Sequence, residues 1–315
     1  MSNTIGVDIG GTKIAAAVVS DEGTVVARLR RETPSTSEAA IRRAIAEVVR
    51  TLKNSHECAA VGISAAGFVD RRRRKVVFAP NLAWRDEPLA DHLEADTGLP
   101  TLLENDANAA AWGEFRYGAA QDAEDTVMVT IGTGIGGGIV VDGQLLRGGY
   151  GMAAEIGHMR VVRGGLLCGC GNRGCWEQYG SGTALTRLGR ELVAGGGAQA
   201  TRLAELADSS PENVRGQMIT LAAQEGDPAC VELLRAFGEG FGEALASITA
   251  VLDPELIVIG GGAAAAGDLL LAPMRQAFAD HLIGSGYRPL APITVATLGN
   301  DAGMIGAADL ARVLV

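Results

Sequence analysis

Three cysteines stand close together near the middle of the chain, Cys168, Cys170 and Cys175, in a C-x-C-x4-C cluster. Thiolates at this density suit zinc, which takes four tetrahedral nitrogen or sulfur ligands. His158, ten residues before Cys168, is the nearest imidazole, whereas His56, His92 and His281 are far away along the chain. The pattern predicts a structural zinc held by His158, Cys168, Cys170 and Cys175; four protein ligands leave the metal no position for substrate chemistry. The competing reading is reduced thiols in a Gly-rich loop. Glu155 lies three residues before His158 and Glu177 two after Cys175. Ordering the loop would hold both carboxylates near the imidazole edge that does not bind metal, where they could accept hydrogen bonds from the hydroxyls of a sugar or polyol. Surface charge on a loop is the plain alternative.

A second set of residues suits phosphate. Gly-rich turns expose backbone N–H groups without Cβ interference, and three segments have that form: Asp8 to Lys13, Gly132 to Gly138, and Gly260-Gly261-Gly262. In the first, Asp8 offers a carboxylate to magnesium or its waters, Thr12 a hydroxyl and Lys13 a cation around Gly10 and Gly11. One glycine hairpin is usually structural; three of them, one carrying Asp, Thr and Lys, predict a nucleotide cleft. The run Gly132-x-Gly134-x-x-Gly137 formally matches the dinucleotide fingerprint, which requires a helix next. Ile139, Val140 and Val141 followed by Asp142-Gly143 read instead as strand and hairpin, and a Walker A loop is absent. Asp106, directly after Asn105 at a predicted helix start, is the general-base candidate by position, and the helix dipole is expected to keep it ionised. Taken alone it reads equally well as an N-cap.

The elements that must position these groups follow from periodicity and turn residues. Strands are predicted at 5–9, 14–19 and 24–29, a meander, followed by a helix over 37–53 and a buried strand at 59–64. The basic run from Arg71 to Lys75 sits in a hairpin turn and is expected to be a solvated loop more than an anion-binding patch. A helix at 87–97, a strand at 100–104 and a helix from 107 to 116 complete the first half. The second half opens on the same plan, strand 126–131, Gly turn 132–138 and strand 139–141. A Gly-rich, Cys-bearing loop to about residue 182 and a helix around 231–252 follow, then a strand at 256–259, a helix at 269–282, a strand at 293–296 and a last helix at 302–313. The division expected is a small α/β domain over 1–115, with the helix at 301–315 packing back on it, and a large α/β domain over 116–300 carrying the zinc loop.

Composition narrows the class. The chain has 315 residues, 47% hydrophobic, with 44 glycines, about twice the usual ~7%. The glycines lack a three-residue period, which excludes collagen, and the regular apolar segments exclude disorder. A net charge of −10 gives no cationic field for nucleic acid or anionic lipid. No basic segment precedes an apolar stretch at the N-terminus, and no apolar run could span a bilayer. A cytoplasmic protein is expected, without nucleic-acid or membrane partners.

The motifs Asp8-Ile9-Gly10-Gly11-Thr12-Lys13, Glu104-Asn105-Asp106-Ala107-Asn108, Gly132 to Gly138, Glu155-Ile156-Gly157-His158 and Cys168 to Glu177 together resemble the ROK family of sugar kinases and repressors, in order and spacing, over essentially the whole chain. Gly174 to Tyr179 and Asn81-Leu82-Ala83-Trp84 look most like the ATP-dependent glucokinases of that family. The resemblance implies the α/β actin/hexokinase-like ATPase fold, with two α/β domains flanking a cleft. It implies ATP-dependent phosphorylation of glucose at its 6-hydroxyl with Asp106 as base. Asn81, Asn105, Glu155, His158 and Glu177 would bind the sugar. Asp8 would serve magnesium and phosphates, Gly10 to Thr12 and Gly132 to Gly134 the phosphates, and Gly260 to Gly262 the adenosine. ATP, magnesium and zinc are the cofactors implied, and a homodimer or homotetramer the assembly. Other hexoses or N-acetylhexosamines (N-acetylmannosamine, N-acetylglucosamine, allose, fructose) and polyphosphate as donor are the alternatives within enzymes. A sugar-sensing regulator of the same family is the alternative outside them, disfavoured because the first core strand begins at Ile5 and leaves no room for a DNA-binding domain before it.

Overall fold

The computed structural model describes residues 2–34, 37–79, 84–196 and 200–315. The chain divides into two compact units, one of residues 1–128, 137–154 and 296–315, the other of residues 129–136 and 155–295.

The first unit opens with the expected meander, β1 (Asn3–Ile9), β2 (Lys13–Val19) and β3 (Val25–Glu32), and continues through α1 (Glu38–Ser55) to β4 (Cys58–Ala65). Ile5, Val7, Ile9 and Ile63 are fully or almost fully buried, and α1 lays Ile41, Ile45, Val48, Val49 and Leu52 against that layer. A small antiparallel sheet follows, β5 (Phe68–Val69), β6 (Val76–Phe78) and β7 (Arg85–Glu87), then α2 (Leu89–Thr97), β8 (Thr101–Asn105) and α3 (Asp106–Tyr117). β1, β4 and β8 run parallel, in a sheet ordered β3-β2-β1-β4-β8. Asp8 pairs with Ser64 and Ser64 with Glu104 across these three strands, so the groups that could do chemistry lie in one row where the parallel strands end.

β9 (Thr126–Ile131), β10 (Ile135–Val141) and β11 (Gln144–Leu145) open a second sheet, ordered β11-β10-β9-β12-β13. The glycine run is shorter as a turn than the expected 132–138: only Gly132, Thr133 and Gly134 lie between strands, and Gly136, Gly137 and Gly138 belong to β10. Packing explains the last of these. A Cβ on Gly138 would stand 2.3 Å from the Ala111 Cβ and 2.8 Å from the Ala107 carbonyl oxygen, so glycine lets the strand lie on α3.

The second unit continues with α4 (Glu177–Gly180), α5 (Gly182–Ala194), α6 (Thr201–Leu206), α7 (Gly216–Gln224) and the long α8 (Pro228–Leu252), then β12 (Leu256–Gly260), α9 (Asp268–His281) and β13 (Ile293–Val295). Asp227 caps α8 through the N–H groups of Ala229 and Cys230 and also accepts from Arg202 and Leu203 in α6. α10 (Ala302–Leu310) returns to the first unit, burying Met304, Ile305 and Ala308 against Ala15, Ala17 and Val19. No helix among the described residues is long and apolar enough to cross a membrane.

The basic run is only in part the solvated loop expected of it: Arg71 and Arg72 are exposed, but the next three residues are held in ion pairs. Arg74 pairs with Asp91 and Glu94 and donates to the Thr101 carbonyl at 2.7 Å, and Lys75 meets Asp86 at 2.7 Å. Arg73 reaches the buried Glu104 at 3.2 Å. The acidic partners lie far along the chain from the run, which is why charge density alone suggested exposure.

Candidate active site

In the first unit β1 delivers Asp8 and β8 delivers Asn105. Asp8 Oδ1 accepts from the Ser64 hydroxyl at 2.8 Å. Burial pushes the Asp8 carboxyl above its ordinary range, against the opposing pull of Ser64 and Lys13; a cation beside it would offset that cost. Gly10, Gly11 and Thr12 form the turn to β2, closed by the Gly10 N–H donating to the Lys13 carbonyl at 3.0 Å. Lys13 is exposed at the first position of β2.

Asn105 and Asp106 divide the labour at the α3 N-terminus. Asn105 is the cap: its Oδ1 accepts from the N–H groups of Ala107 at 2.9 Å and Asn108 at 3.1 Å, and its Nδ2 donates to Gly67 O at 3.1 Å. Asp106 is the first helical residue, with Oδ1 accepting from the Ala107 N–H at 2.9 Å. The N-cap reading therefore belongs to Asn105, its neighbour in sequence. Burial, then the charge of Asp8, raise the Asp106 pKa, outweighing the backbone N–H groups at the helix start. The helix start pulls the pKa down as expected, but burial outweighs it. A carboxylate destabilised in this way is a better proton acceptor.

In the second unit His158, Cys168, Cys170 and Cys175 bring their donor atoms within 4.8 Å of one another. Cys168 Sγ lies 3.7 Å from His158 Nδ1, and Cys170 Sγ 3.6 Å from Cys175 Sγ. These are close to the edges of a tetrahedron with Zn–S bonds of ~2.3 Å, so the four donors fit zinc. Burial and the neighbouring cysteines push the Cys175 thiol up to about 12, a repulsion that a divalent cation among the sulfurs would relieve. The loop is folded for this purpose: Cys168 N–H donates to Asn172 O, Gly174 N–H to Leu166 O and Trp176 N–H to Met159 O, each at 2.8 Å. Trp176, buried at the loop's end, packs at a tilt against the Phe241 ring of α8, with 4.8 Å between ring centroids.

The two flanking carboxylates are held differently. Glu155 Oε2 stands 3.9 Å from His158 Nε2, the ring nitrogen turned away from the sulfurs. Glu177, the first residue of α4, places Oε1 3.8 Å from Cys168 Sγ and accepts from the Ile135 N–H at 3.3 Å through Oε2. It thus ties the zinc loop to the strand after the Gly132 turn.

A cavity of about 1280 Å³ opens in the same unit, lined by Gly132, Thr133, Thr183, Gln217 and Gly262 among others. Two of the three phosphate-suited segments, the Gly132 turn and the Gly260–Gly262 turn, therefore border one space, and the third belongs to the other unit. Gly260 ends β12. Gly261 has φ +85°, and a Cβ there would stand 2.4 Å from Ile131 O, so only glycine joins these two segments without strain. Asn81 lies outside the described residues. Ser64 and the role of Glu104 carry no signal in the sequence. Ser64 read as one more buried strand residue, and its register opposite Asp8 was not visible along the chain.

The ROK family model matches residues 4–313. The glucokinase of Streptomyces coelicolor is 47% identical over 312 residues, covering 99% of this chain and 98% of that protein. The N-acetylmannosamine kinase of Citrobacter koseri is 34% identical over 314 residues, 98% and 99% of the two chains. A ROK family glucokinase from Streptomyces griseus, solved in complex with glucose and AMPPNP, superposes with a TM-score of 0.88 at 49% identity, covering 98% of this chain and 99% of that one.

Proposed function

Because the chain belongs to the ROK family and has the actin/hexokinase-like ATPase fold, we propose that it is an ATP-dependent glucokinase, transferring the γ-phosphoryl group of ATP to the 6-hydroxyl of glucose. The observation that carries this reading is the likeness to glucokinases along the whole chain, at higher identity than to N-acetylmannosamine kinase.

Asp106 takes the proton of the 6-hydroxyl while that oxygen bonds to the γ-phosphorus and the bond to the β–γ bridging oxygen breaks, releasing ADP and glucose 6-phosphate. Base assistance of this kind contributes about 10²–10⁴-fold. Asn105, whose Oδ1 is occupied by the cap, keeps an amide hydrogen for a sugar hydroxyl, and Asn81 joins the sugar set by resemblance. Glu155, His158 and Glu177 accept or donate to the other hydroxyls, with His158 keeping Nδ1 for the metal and Nε2 for the sugar. The Gly10 to Thr12 and Gly132 to Gly134 turns would bind phosphate with Lys13 nearby, through the N–H groups of Gly11, Thr12, Thr133 and Gly134, since those of Gly10 and Gly132 close their own turns, and Gly260 to Gly262 would border the adenosine. Asp8 would hold magnesium, which neutralises triphosphate charge when bound. Zinc on His158, Cys168, Cys170 and Cys175 would order the sugar-binding loop without touching the reacting atoms. We place the enzyme in the cytoplasm as a homodimer or homotetramer.

The resemblance to N-acetylmannosamine kinase keeps a second substrate reading in play, since the two differ in sugar chemistry more than in mechanism. A coupled assay of ADP release over hexoses and N-acetylhexosamines decides between them. Glucose should rank first; an N-acetylated sugar ahead of it by about tenfold in kcat/KM would overturn the substrate assignment.

A further inference from the structure

Glu104 stands one residue before the cap and two before the proposed base, and it is fully buried. Its Oε1 accepts from the Asn105 N–H at 3.0 Å and from Asn108 Nδ2 at 3.2 Å. On its other side Oε2 meets two guanidinium groups, Arg147 Nε at 2.7 Å and Arg73 Nε at 3.2 Å. The arginines are themselves fastened. Arg147, 11% exposed in its side chain, donates to Arg71 O at 2.9 Å and Asp70 O at 3.1 Å. Arg73 occupies the left-handed region at φ 59°, and its carbonyl accepts from the Leu103 N–H at 3.0 Å, within β8 itself. Three chain segments, the β5–β6 hairpin, the end of β8 and the residues after β11, therefore converge on one carboxylate.

A buried ionic trio is a poor way to stabilise a sheet, because well-packed apolar side chains in its place are often as good or better. Elsewhere in this sheet the buried side chains are uncharged, Ile5, Val7, Ile63, Leu102 and Leu103 among them. The exception falls where the chain turns from β8 into α3.

We propose that Glu104, clamped between Arg73 and Arg147, is a positioning residue that fixes the Asn105–Asp106 turn so that the Asp106 carboxylate meets the substrate hydroxyl at reacting distance. The inference rests on the reading of Asp106 as base. Glu104 acts through the Asn105 N–H and the Asn108 amide, on either side of Asp106, and itself touches no reacting atom. A loose base is costly in a reaction that depends on in-line positioning. The basic hairpin thus has a use that its exposed-looking sequence hides: it supplies one cation of the clamp and carbonyls that hold the other.

The test compares Glu104→Gln, Arg147→Met, Arg147→Lys and the double variant Glu104→Gln/Arg147→Met with Asp106→Ala, measuring kcat, both KM values and thermal melts. Glu104→Gln and Arg147→Met should each lose about 10²-fold in kcat, with either KM changed by less than about threefold. The double variant should lose little more than the worse single one, because the pair acts as a unit. Arg147→Lys should recover at least about tenfold over Arg147→Met. Full activity in the folded single variants, or a loss carried equally by KM, overturns the clamp. So do losses that multiply in the double variant. If Glu104→Gln does not melt cooperatively, Arg73→Met, at a more exposed arginine, decides: a kcat loss at constant KM supports the clamp and an unchanged kcat refutes it. An active Asp106→Ala enzyme would remove the base reading; an inactive one beside a fully active Glu104→Gln removes the clamp alone.

Discussion

The two five-stranded sheets follow one strand plan but end their strands in different chemistry. β1 finishes Asp8-Ile9-Gly10 and β9 finishes Thr130-Ile131-Gly132; β8 runs out into Asp106, whereas β13 is followed by Ala296. Each hairpin turns through glycine, so the backbone N–H groups are common to both. The carboxylates are confined to the first. A carboxylate at Thr130 would repel the phosphates that the Gly132 turn is suited to receive, whereas on the proposed reading the first sheet needs one acid for a metal and one for a proton. On that reading a repeated strand plan serves two tasks through a few differences at strand ends, and the second unit would add recognition on a loop whose four donors suit a metal, in place of acids on strands.

The sharpest way to break this division is to remove the acid that the second sheet lacks. Asp106→Ala should retain glucose binding and lose about 10²–10⁴-fold in kcat. Activity within about tenfold of the parent would mean that proton transfer does not depend on the strand-end acid, and the contrast between the sheets would lose its functional meaning.

Disabling the loop tests the other side. Elemental analysis should find about one zinc per chain, lost in Cys168→Ser together with about 10–100-fold in glucose affinity. The effect should fall on sugar binding, because Glu155, His158 and Glu177 depend on the loop for their geometry. A metal-free protein with unchanged affinity would show that the loop is ordered by its main-chain hydrogen bonds alone.

Much of this contrast was legible along the chain, because turns, strand runs and ligand spacing are local. The β9 turn and the strand after it were read from Ile139 to Val141 and the Asp142-Gly143 turn, which set aside the dinucleotide fingerprint. The zinc set was read from spacing between cysteines and one histidine. What escaped was set by register and by distant partners. The Glu104 clamp needs Arg73 and Arg147, 31 residues before it and 43 after it, and the basic hairpin looked solvated because Glu94, Asp91 and Glu104 are not its sequence neighbours. The rise of the Asp106 pKa also comes from burial first and the charge of Asp8 second, both of them products of the fold.

That last shift gives the smallest effect and the most specific one. A carboxyl whose pKa rises on folding binds its proton more tightly in the folded state, so its contribution to stability is fully present below the unfolded pKa of 3.8 and is lost as pH rises through the folded pKa. Above its raised pKa Asp106 therefore destabilises the first unit, and there Asp106→Asn should raise the melting temperature by about 2–4 °C while abolishing turnover. The gain should shrink as pH falls through the raised pKa toward 3.8, where the parent carboxyl is protonated as well. Glu94 supplies the opposite sign in the same unit. The hydrogen bond from Arg74 lowers its pKa below 4.5, so Glu94→Gln should cost stability at neutral pH and lose that cost in acid. Melts of both variants across pH would separate a site whose acid is held at the expense of stability from an ion pair that contributes to it. Equal and pH-independent shifts would mean that neither charge is coupled to folding, leaving the proposed base with no measurable trace of its burial.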